Sequence, residues 1–213
     1  MDQRKILLVN LSKGSLGDIN SNLIGLILVG KILMAALSRS DTQSRDYPPF
    51  YLYIDEFQNV TTDSISTILS EARKYKLSLN VVHQFIGQLD EKTKNSIFGN
   101  VGSMAVYRVG SDDAEYLEHQ YSPIFSAKDI TNIDNYNAYI KMLSSGVPLD
   151  PFSARMLPPP EGRPEIVDDL KQLSYLKYGK NRIEIEEEIN NKYKKETPFE
   201  KPNTDSLEAF RNL

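Results

Sequence analysis

The chain has 213 residues, a formal net charge of −4 at pH 7 and no cysteine. Its composition, 40% hydrophobic and 25% charged residues, is ordinary for a globular protein and excludes collagen-like and wholly disordered chains. The lack of cysteine argues against a disulfide scaffold and a zinc-thiolate site, and the lack of a signal segment favours the cytoplasm. The acidic balance argues against a uniformly basic surface that coats nucleic acid.

The first half of the chain predicts strands that alternate with helices. Continuous apolar runs predict buried strands at 5–10, 50–54, 77–83 and 103–109. The apolar run at 23–37 is shorter than the about 20 residues of a membrane span and contains Lys31, so we expect a buried helix. Further helices are predicted at 64–76, at 87–96 and from Ser111. This alternation is typical of an α/β fold with a mostly parallel sheet.

Composition also divides the chain along its length. The segment PPPEGRP cannot continue a helix or a central strand and predicts an extended linker. Two helices are predicted after it, the first ending at Gly179 as its C-cap and the second starting at Asn181, with Glu184 three residues later as in a capping box; a polar tail ends the chain. We expect strands or a hairpin at 136–143 and 152–157 within the first region. The expected regions are an α/β domain at 1–157, the proline-rich linker at 158–164, a helical segment at 165–195 and a flexible tail at 196–213.

Asp55 and Glu56 directly follow the predicted strand at 50–54. Ligands bind in open α/β folds at this position, beyond the carboxyl ends of the strands. In P-loop ATPases the first acid of such a pair holds Mg²⁺ and the second orients the attacking water. Acidic residues also end many strands as ordinary turns, so the pattern by itself leaves both interpretations open.

Two further side chains fit the same chemistry. Gln84 ends the next predicted strand, where a glutamine senses a γ-phosphate or positions water, or else caps the following turn. Arg73 either stabilises transition-state charge in a neighbouring subunit or complements the negative end of its own helix. His83 and His119 have no metal-ligand neighbour at helical spacing, which favours structural roles for both.

A phosphate-binding loop is expected beside such a site, and Gly25–Lys31 has the spacing G-x-x-x-x-G-K. The next residue is Ile32 instead of Ser or Thr, and no strand leads directly into the segment. The segment also lies inside the predicted apolar helix, where backbone amides are already hydrogen-bonded. We therefore predict that Gly25–Lys31 does not bind phosphate and that the chain contains no such loop.

The order of these motifs resembles that of type IV secretion coupling proteins of the TraD and TraG kind, P-loop ATPases in the group of the FtsK and HerA translocases. The resemblance rests on KILLVNLSKGSLGD, PFYLYIDEFQNV, EARKYKLSLNVVHQ and VGSDDAEYLEHQYSP, and it extends over about residues 1–191. It implies part of a RecA-like P-loop ATPase domain with a mostly parallel sheet, followed by a short C-terminal helical segment.

The resemblance also implies roles and partners. Asp55 is expected to contact Mg²⁺, Glu56 to activate water, Arg73 to reach the ATP of the adjoining subunit, and Gln84 to act at the sheet edge. ATP is the implied cofactor, and DNA, a hexameric ring and secretion-channel components are the implied partners. The family's phosphate loop precedes the strand at 5–10. We therefore expect the chain to need a P-loop half or an intact homologue, to bind ATP poorly alone, and to leave any membrane anchor to that missing part.

The leading hypothesis is part of an ATP-driven DNA translocase for conjugative or type IV secretion DNA transfer. A second hypothesis is a non-catalytic interaction module that docks onto an intact ATPase or a secretion substrate. A third is an unrelated α/β hydrolase or nuclease that uses Asp55 and Glu56 directly on metal, although no third ligand is clustered with them.

Overall fold

The computed structural model describes residues 1–41, 47–60 and 71–194. The chain divides into two compact units, Met1–Pro158 and Pro159–Leu213. The described α-helices of the first unit are α1 (Lys13–Leu16), α2 (Asp18–Leu37), α3 (Glu91–Asn100), α4 (Ser111–Tyr121) and α5 (Ala127–Thr131). Its described strands are β1 (Phe50–Ile54), β2 (Leu77–Val81), β3 (Met104–Val106), β4 (Asn137–Lys141), β5 (Leu143–Ser144), β6 (Val147–Pro148) and β7 (Phe152–Arg155).

Strands β1 and β2 form a parallel pair, with Phe50 opposite Leu77 and Ile54 opposite Val81. The inward side chains of β1 are half-buried, whereas Tyr51 and Tyr53 on its other face are exposed. Helix α2 packs against this pair. The buried side chains of that cluster are Val29, Ile32, Leu33, Ala36, Val60 and Leu77. Helix α2 precedes β1 in the chain and covers one face of the pair, which agrees with the predicted alternation of helices and strands.

Helix α2 confirms the predicted apolar helix at 23–37 and extends it to Asp18. By length and hydropathy alone, Asp18–Ser40 is long and apolar enough to cross a membrane. Ala36 of this helix is completely buried and Val29 nearly so, both against the parallel pair. The expected buried helix is therefore confirmed only on the face that contacts the parallel pair, since Leu23, Ile27 and Met34 are 53%, 55% and 64% exposed.

The predicted strand at 5–10 is wrong. These residues have no regular secondary structure, and the side chains of Ile6 and Leu8 are both 88% exposed. A strand requires a neighbour that satisfies its backbone amides and carbonyls. Within the described residues, β1 hydrogen-bonds to β2 and to no other strand, so the apolar run has no partner there.

Strand β3 confirms the core of the predicted strand at 103–109, but it lies in a different sheet. It pairs antiparallel with β4, which pairs antiparallel with β7. The expected α/β class is therefore confirmed, while the parallel part of the described chain is limited to β1 and β2. The predicted pairing of 136–143 with 152–157 is confirmed in β4 and β7. Short strands β5 and β6 form a hairpin, whose turn places Gly146 at a φ of 83°, a value that glycine adopts without strain.

A second buried cluster joins α4 and α5 to the antiparallel sheet. Its fully or nearly fully buried members are Ile86, Val106, Ala114, Leu117, Tyr121, Ile130 and Ile133. The predicted helix from Ser111 is confirmed as α4, with Asp112 and Asp113 in its first turn. Their negative charges lie at the positive end of the helix dipole, which stabilises the helix start.

Two other predicted helices have mixed outcomes. The polar helix expected at 87–96 is confirmed as α3, which begins later because Asp90 caps it by accepting a hydrogen bond from the Thr93 amide at 2.9 Å. The helix expected at 64–76 falls largely on 61–70, which lies outside the described residues. Its described end is a 3₁₀ helix at Ala72–Tyr75.

The second unit contains a 3₁₀ helix at Pro164–Ile166 followed by α6 (Val167–Tyr178) and α7 (Arg182–Lys194). Gly179 ends α6 as predicted. The Asn181 side chain accepts a hydrogen bond from the Ile183 amide at 2.9 Å, which confirms its predicted capping role at α7. The limits of the four sequence regions stay predictions, and the tail at 196–213 lies outside the described residues.

Candidate functional site

The two loops at the carboxyl edge of the parallel pair lie side by side. The β1 loop carries Asp55 and Glu56, and the β2 loop carries His83 and Gln84. A backbone hydrogen bond from the Phe57 amide to the Val82 carbonyl, at 3.2 Å, ties the loops together. The parallel register thus brings together the polar residues that the sequence placed at successive strand ends.

Two amide side chains hold the carboxylate of Glu56. Gln84 Nε2 donates to Glu56 Oε1 at 2.5 Å, and Gln58 Nε2 donates to Glu56 Oε2 at 2.6 Å. Glu56 also has a φ of 49°, in the left-handed region that a non-glycine residue adopts at a cost of about 1–3 kcal/mol. The structure therefore places Glu56 and Gln84 in contact and adds Gln58, which was not among the predicted site residues.

Gln58 belongs to a 3₁₀ helix at Phe57–Val60, in which the side chain of Phe57 is completely buried. Burial of Phe57 fixes this turn beneath the acid pair, and the turn directs Gln58 back to Glu56. The sequence signal for the contact between Gln58 and Glu56 is a glutamine two residues after an Asp-Glu pair. It becomes interpretable only once the strand is known to end in a tight helical turn.

Asp55 is exposed, and its Oδ1 accepts a hydrogen bond from the Glu56 amide at 3.0 Å. Mg²⁺ prefers oxygen ligands and is usually held by one or two carboxylates together with water and phosphate oxygens. Asp55 fits that mode of binding by its chemistry and by its place at the sheet edge. A group of three or more His, Cys, Asp or Glu side chains able to hold a metal is not found in the described ranges.

Arg73 lies in the 3₁₀ helix Ala72–Tyr75, directly before β2, and its side chain is outside the described part of the structure. Its proposed contact with the nucleotide of an adjoining subunit therefore stays a prediction. The Gly25–Lys31 segment lies in the middle of α2, as predicted. Its amides belong to a continuous α-helix and are not available to surround a phosphate.

His83 packs beside the acid pair with its ring edge against Phe57, at 5.5 Å between ring centroids. Burial lowers the pKa of the His83 imidazole below its ordinary value of 6.5, while the carboxylates of Asp113 and Glu56 oppose that change. The predicted structural role of His83 thus agrees with its half-buried position between the site and α4.

We expect His83 to make the protein less stable in mild acid. The folded chain binds this proton more weakly than the unfolded chain, so the free energy of unfolding falls as the pH drops through about 6.5 and levels off below the folded pKa. Urea unfolding at about pH 7.5 and 5.5 measures the change. His83→Gln should reduce the loss between these two pH values, whereas His119→Gln, at an exposed position, should not. Equal pH dependence in all three proteins would contradict this assignment.

Comparison with known families gives a match over the segment that contains the site. Residues 49–141 match a family model described as the TraM recognition site of TraD and TraG. This range includes β1, β2 and both loops of the candidate site. No curated protein matches the chain.

Solved structures give a fold-level likeness. The plasmid coupling protein TrwB in complex with the ATP analogue ADPNP aligns with a TM-score of 0.50 at 15% identity, covering 64% of this chain and 37% of that one. TrwB with the GTP analogue GDPNP gives a TM-score of 0.50 at 16% identity, covering 63% and 38%. The genome packaging NTPase B204 from Sulfolobus turreted icosahedral virus 2, in complex with AMPPCP, gives 0.47 at 15% identity, covering 63% of each chain. The expected RecA-like α/β class is confirmed by TrwB, and this chain spans less than two fifths of the TrwB chains.

Proposed function

We propose that this chain, a TraD/TraG-like coupling protein by its matched segment at 49–141, supplies part of the ATP site of an ATP-driven DNA translocase for conjugative or type IV secretion transfer. The observation that carries the proposal is the hydrogen bond from Gln84 to Glu56 across the ends of β1 and β2. An acid and an amide in contact at a parallel sheet edge form the side of an ATP site that acts on the attacking water.

Each residue of the site has a distinct proposed task. Asp55 holds Mg²⁺, directly or through water, and the Mg²⁺-bound nucleotide supplies the phosphoryl group that is transferred. Glu56 accepts a hydrogen bond from the attacking water and orients it. Gln84 donates a hydrogen bond to Glu56 and is proposed to contact that water as well.

The amides of Gln58 and Gln84 restrict the rotation of the Glu56 carboxylate. A carboxylate has about four lone-pair sites, so two donated hydrogen bonds leave capacity for a water molecule. Fixing the carboxylate before the nucleotide binds reduces the reorganisation needed in the transition state. Gln58 is therefore proposed to support the orientation of Glu56.

The other components of the proposed translocase lie outside this site. We propose that the phosphate-binding loop is provided by a P-loop half of the same or another chain, and that Arg73 acts on the nucleotide of a neighbouring subunit in a hexameric ring. DNA and secretion-channel components are the proposed partners, and the cytoplasm is the proposed compartment. A net acidic chain can still pass DNA through a channel, because a few basic residues per subunit suffice.

A second candidate function is a non-catalytic module that docks onto an intact coupling ATPase. The apolar residues Ile6 and Leu8 are 88% exposed, and Tyr53 of the parallel pair is 72% exposed. Parallel sheets are normally covered on both faces, so these side chains favour a protein partner. The two candidates differ in whether Glu56 is needed once that partner is bound.

The test mixes the 213-residue chain with a P-loop-bearing N-terminal part of a TraD/TraG-like coupling protein and measures phosphate release from ATP. We expect turnover above the sum of the separate parts. Glu56→Gln should lower that turnover by about 10²-fold or more, because the variant keeps the size of the side chain and loses its basic oxygen. Glu161→Gln, an exposed position outside the site, is the matched control.

Each outcome of this test separates the hypotheses. Binding without turnover would replace the ATPase proposal by the interaction module. Restored turnover that is equal in the wild type and Glu56→Gln would exclude the role of Glu56. Turnover that is indifferent to Arg73→Ala would retain the ATPase and exclude the role of Arg73. Tight Mg²⁺-dependent ATP binding by the chain alone would contradict the requirement for a separate P-loop half.

A further inference from the structure

A surface pocket of about 210 Å³ lies where β3 ends and β4 begins. It is lined by Tyr107 and Arg108, which directly follow β3, and by residues 133–137, which lead into β4. Ile133 in that stretch is only 3% exposed and belongs to the second buried cluster. The pocket is smaller than the about 300–1,000 Å³ of sites for drug-sized ligands, so it suits a single small ring system.

Tyr136 has an unfavourable backbone conformation in this pocket. Its φ is 60°, in the left-handed region that a bulky side chain rarely adopts. It is the third residue of a turn that the Asn137 amide closes by donating to the Asp134 carbonyl at 3.1 Å, and a positive φ at this position normally selects glycine or asparagine. The Tyr136 side chain is 59% exposed, so burial does not offset the cost. A strained and exposed aromatic residue indicates a function for its ring.

The pocket combines aromatic rings with polar groups. Tyr107 is 50% exposed, so its ring and that of Tyr136 are both accessible to a ligand. Arg108 Nη2 donates to Asn135 Oδ1 at 3.2 Å, which holds the guanidinium beside the turn. Aromatic rings stack on nucleobases, and arginine and asparagine side chains form hydrogen bonds with base edges. Asp134 also lines the pocket and its charge opposes that of Arg108, which argues against a site for a bare phosphate.

A continuous set of contacts connects the pocket to the loop that carries Gln84. Val106, the last residue of β3, and Ile86, two residues after Gln84, belong to the same buried cluster. Asp113 in the first turn of α4 accepts a hydrogen bond from the Ile86 amide at 3.1 Å. The short segment from Arg108 to Asp113 therefore joins the pocket to the proposed ATP site.

We propose that the pocket between β3 and β4 binds a nucleobase, which stacks on Tyr136 and forms edge contacts with Arg108. This inference rests on the proposed function, because the base belongs either to the nucleotide or to a transported DNA strand. Both sources offer the same chemistry, a flat aromatic ring with hydrogen-bonding edges. The experiment below distinguishes them and contains no ATP turnover.

A tryptophan reporter tests the site directly. The sequence has no tryptophan, so Tyr136→Trp introduces a single indole and keeps an aromatic face. The complete chain is titrated with AMP, and the indole is excited at the red edge of its absorption band, where nucleotides absorb little. We expect quenching with a dissociation constant of about 0.1–10 mM. Ribose 5-phosphate, which lacks the base, should not quench this reporter, and AMP should not quench Tyr193→Trp, a position 68% exposed in α7.

A charge-matched pair of variants tests the role of Arg108. In the reporter protein, Arg108→Gln should raise the AMP dissociation constant by about tenfold, because the variant loses the guanidinium hydrogen bonds. Lys31→Gln removes the same charge at an exposed position in α2 and should leave the constant unchanged. Tyr107→Trp provides a second reporter, and circular dichroism establishes that each variant is folded.

A thymidine oligonucleotide of about 12 residues identifies the source of the base. Tighter binding per nucleotide than that of AMP, weakening as salt is added, would assign the pocket to a DNA strand. Binding of AMP that is at least as tight would assign it to the nucleotide. Either result supports the proposal.

Three results would overturn the nucleobase site. They are no quenching by AMP or the oligonucleotide at either reporter, equal quenching by ribose 5-phosphate and AMP, and equal effects of the Arg108 and Lys31 variants. Restored ATP turnover without base binding would remove this inference alone. Base binding without restored turnover would support the pocket and contradict the proposed ATPase.

Discussion

Replacing Tyr121 by alanine lowers the free energy of unfolding by about 3–5 kcal/mol, the range for removing a large buried aromatic side chain. Tyr121 is completely buried at the end of α4 and lies in the cluster that joins α4 and α5 to the antiparallel sheet. Its hydroxyl donates toward the carbonyls of Met104 at 3.3 Å and Tyr139 at 3.4 Å. One side chain thus ties a helix to two neighbouring strands.

Two companion variants separate the parts of this effect. Tyr121→Phe keeps the ring and loses the hydroxyl, so we expect a loss of about 1 kcal/mol. Tyr107→Ala removes a tyrosine that is 50% exposed and should change stability by about 0.5 kcal/mol or less. Urea unfolding followed by circular dichroism measures all three. A Tyr121→Ala protein as stable as Tyr107→Ala would show that this cluster does not hold the unit together.

Replacing Gly25 by alanine destabilises the protein by about 1–3 kcal/mol, although alanine is the better helix former. A Cβ at Gly25 would overlap Val60 Cγ1 and lie 3.2 Å from Leu11 Cδ1. Val60 is buried in the cluster between α2 and the parallel pair, so it has little room to move. Close approach of α2 to the turn after β1 therefore requires a glycine.

Gly30 in the same helix provides the matched control. A Cβ at Gly30 meets nothing within 4 Å, so Gly30→Ala should stabilise the protein by up to about 1 kcal/mol through helix propensity alone. Thermal and urea unfolding of both variants measure whether each substitution raises or lowers the free energy of unfolding. Loss of stability in both, or gain in both, would contradict the packing that we describe. Opposite signs would also agree with a structural role for the Gly25–Lys31 segment.

The sequence predicted those parts of the candidate site that depend on residues close together in the chain. An apolar run followed by Asp55 and Glu56, and another followed by Gln84, placed three polar residues at strand ends. Their convergence required parallel neighbours in register, which β1 and β2 provide. Gln58 was not predicted as a site residue because its contact with Glu56 depends on the 3₁₀ turn at Phe57–Val60.

The two strand predictions that failed or changed have a common physical cause. The apolar runs at 5–10 and 103–109 indicate that these segments favour burial. They do not indicate which strand each segment pairs with. Residues 5–10 have no strand partner among the described residues and remain exposed. Strand β3 pairs antiparallel with β4 and does not belong to the parallel sheet of β1 and β2.

The sequence by itself determined the α/β class, the apolar helix α2, the acid pair and the capped helices, because each follows from contacts within about one turn or one strand. Only the tertiary structure decided which strands pair and that Gln84 and Gln58 share Glu56. Strand pairing and the Gln84–Glu56 contact join residues far apart in the chain, and the Gln58–Glu56 contact depends on a turn whose Phe57 side chain is buried. Their energies come from pairing and burial, which a local pattern does not specify.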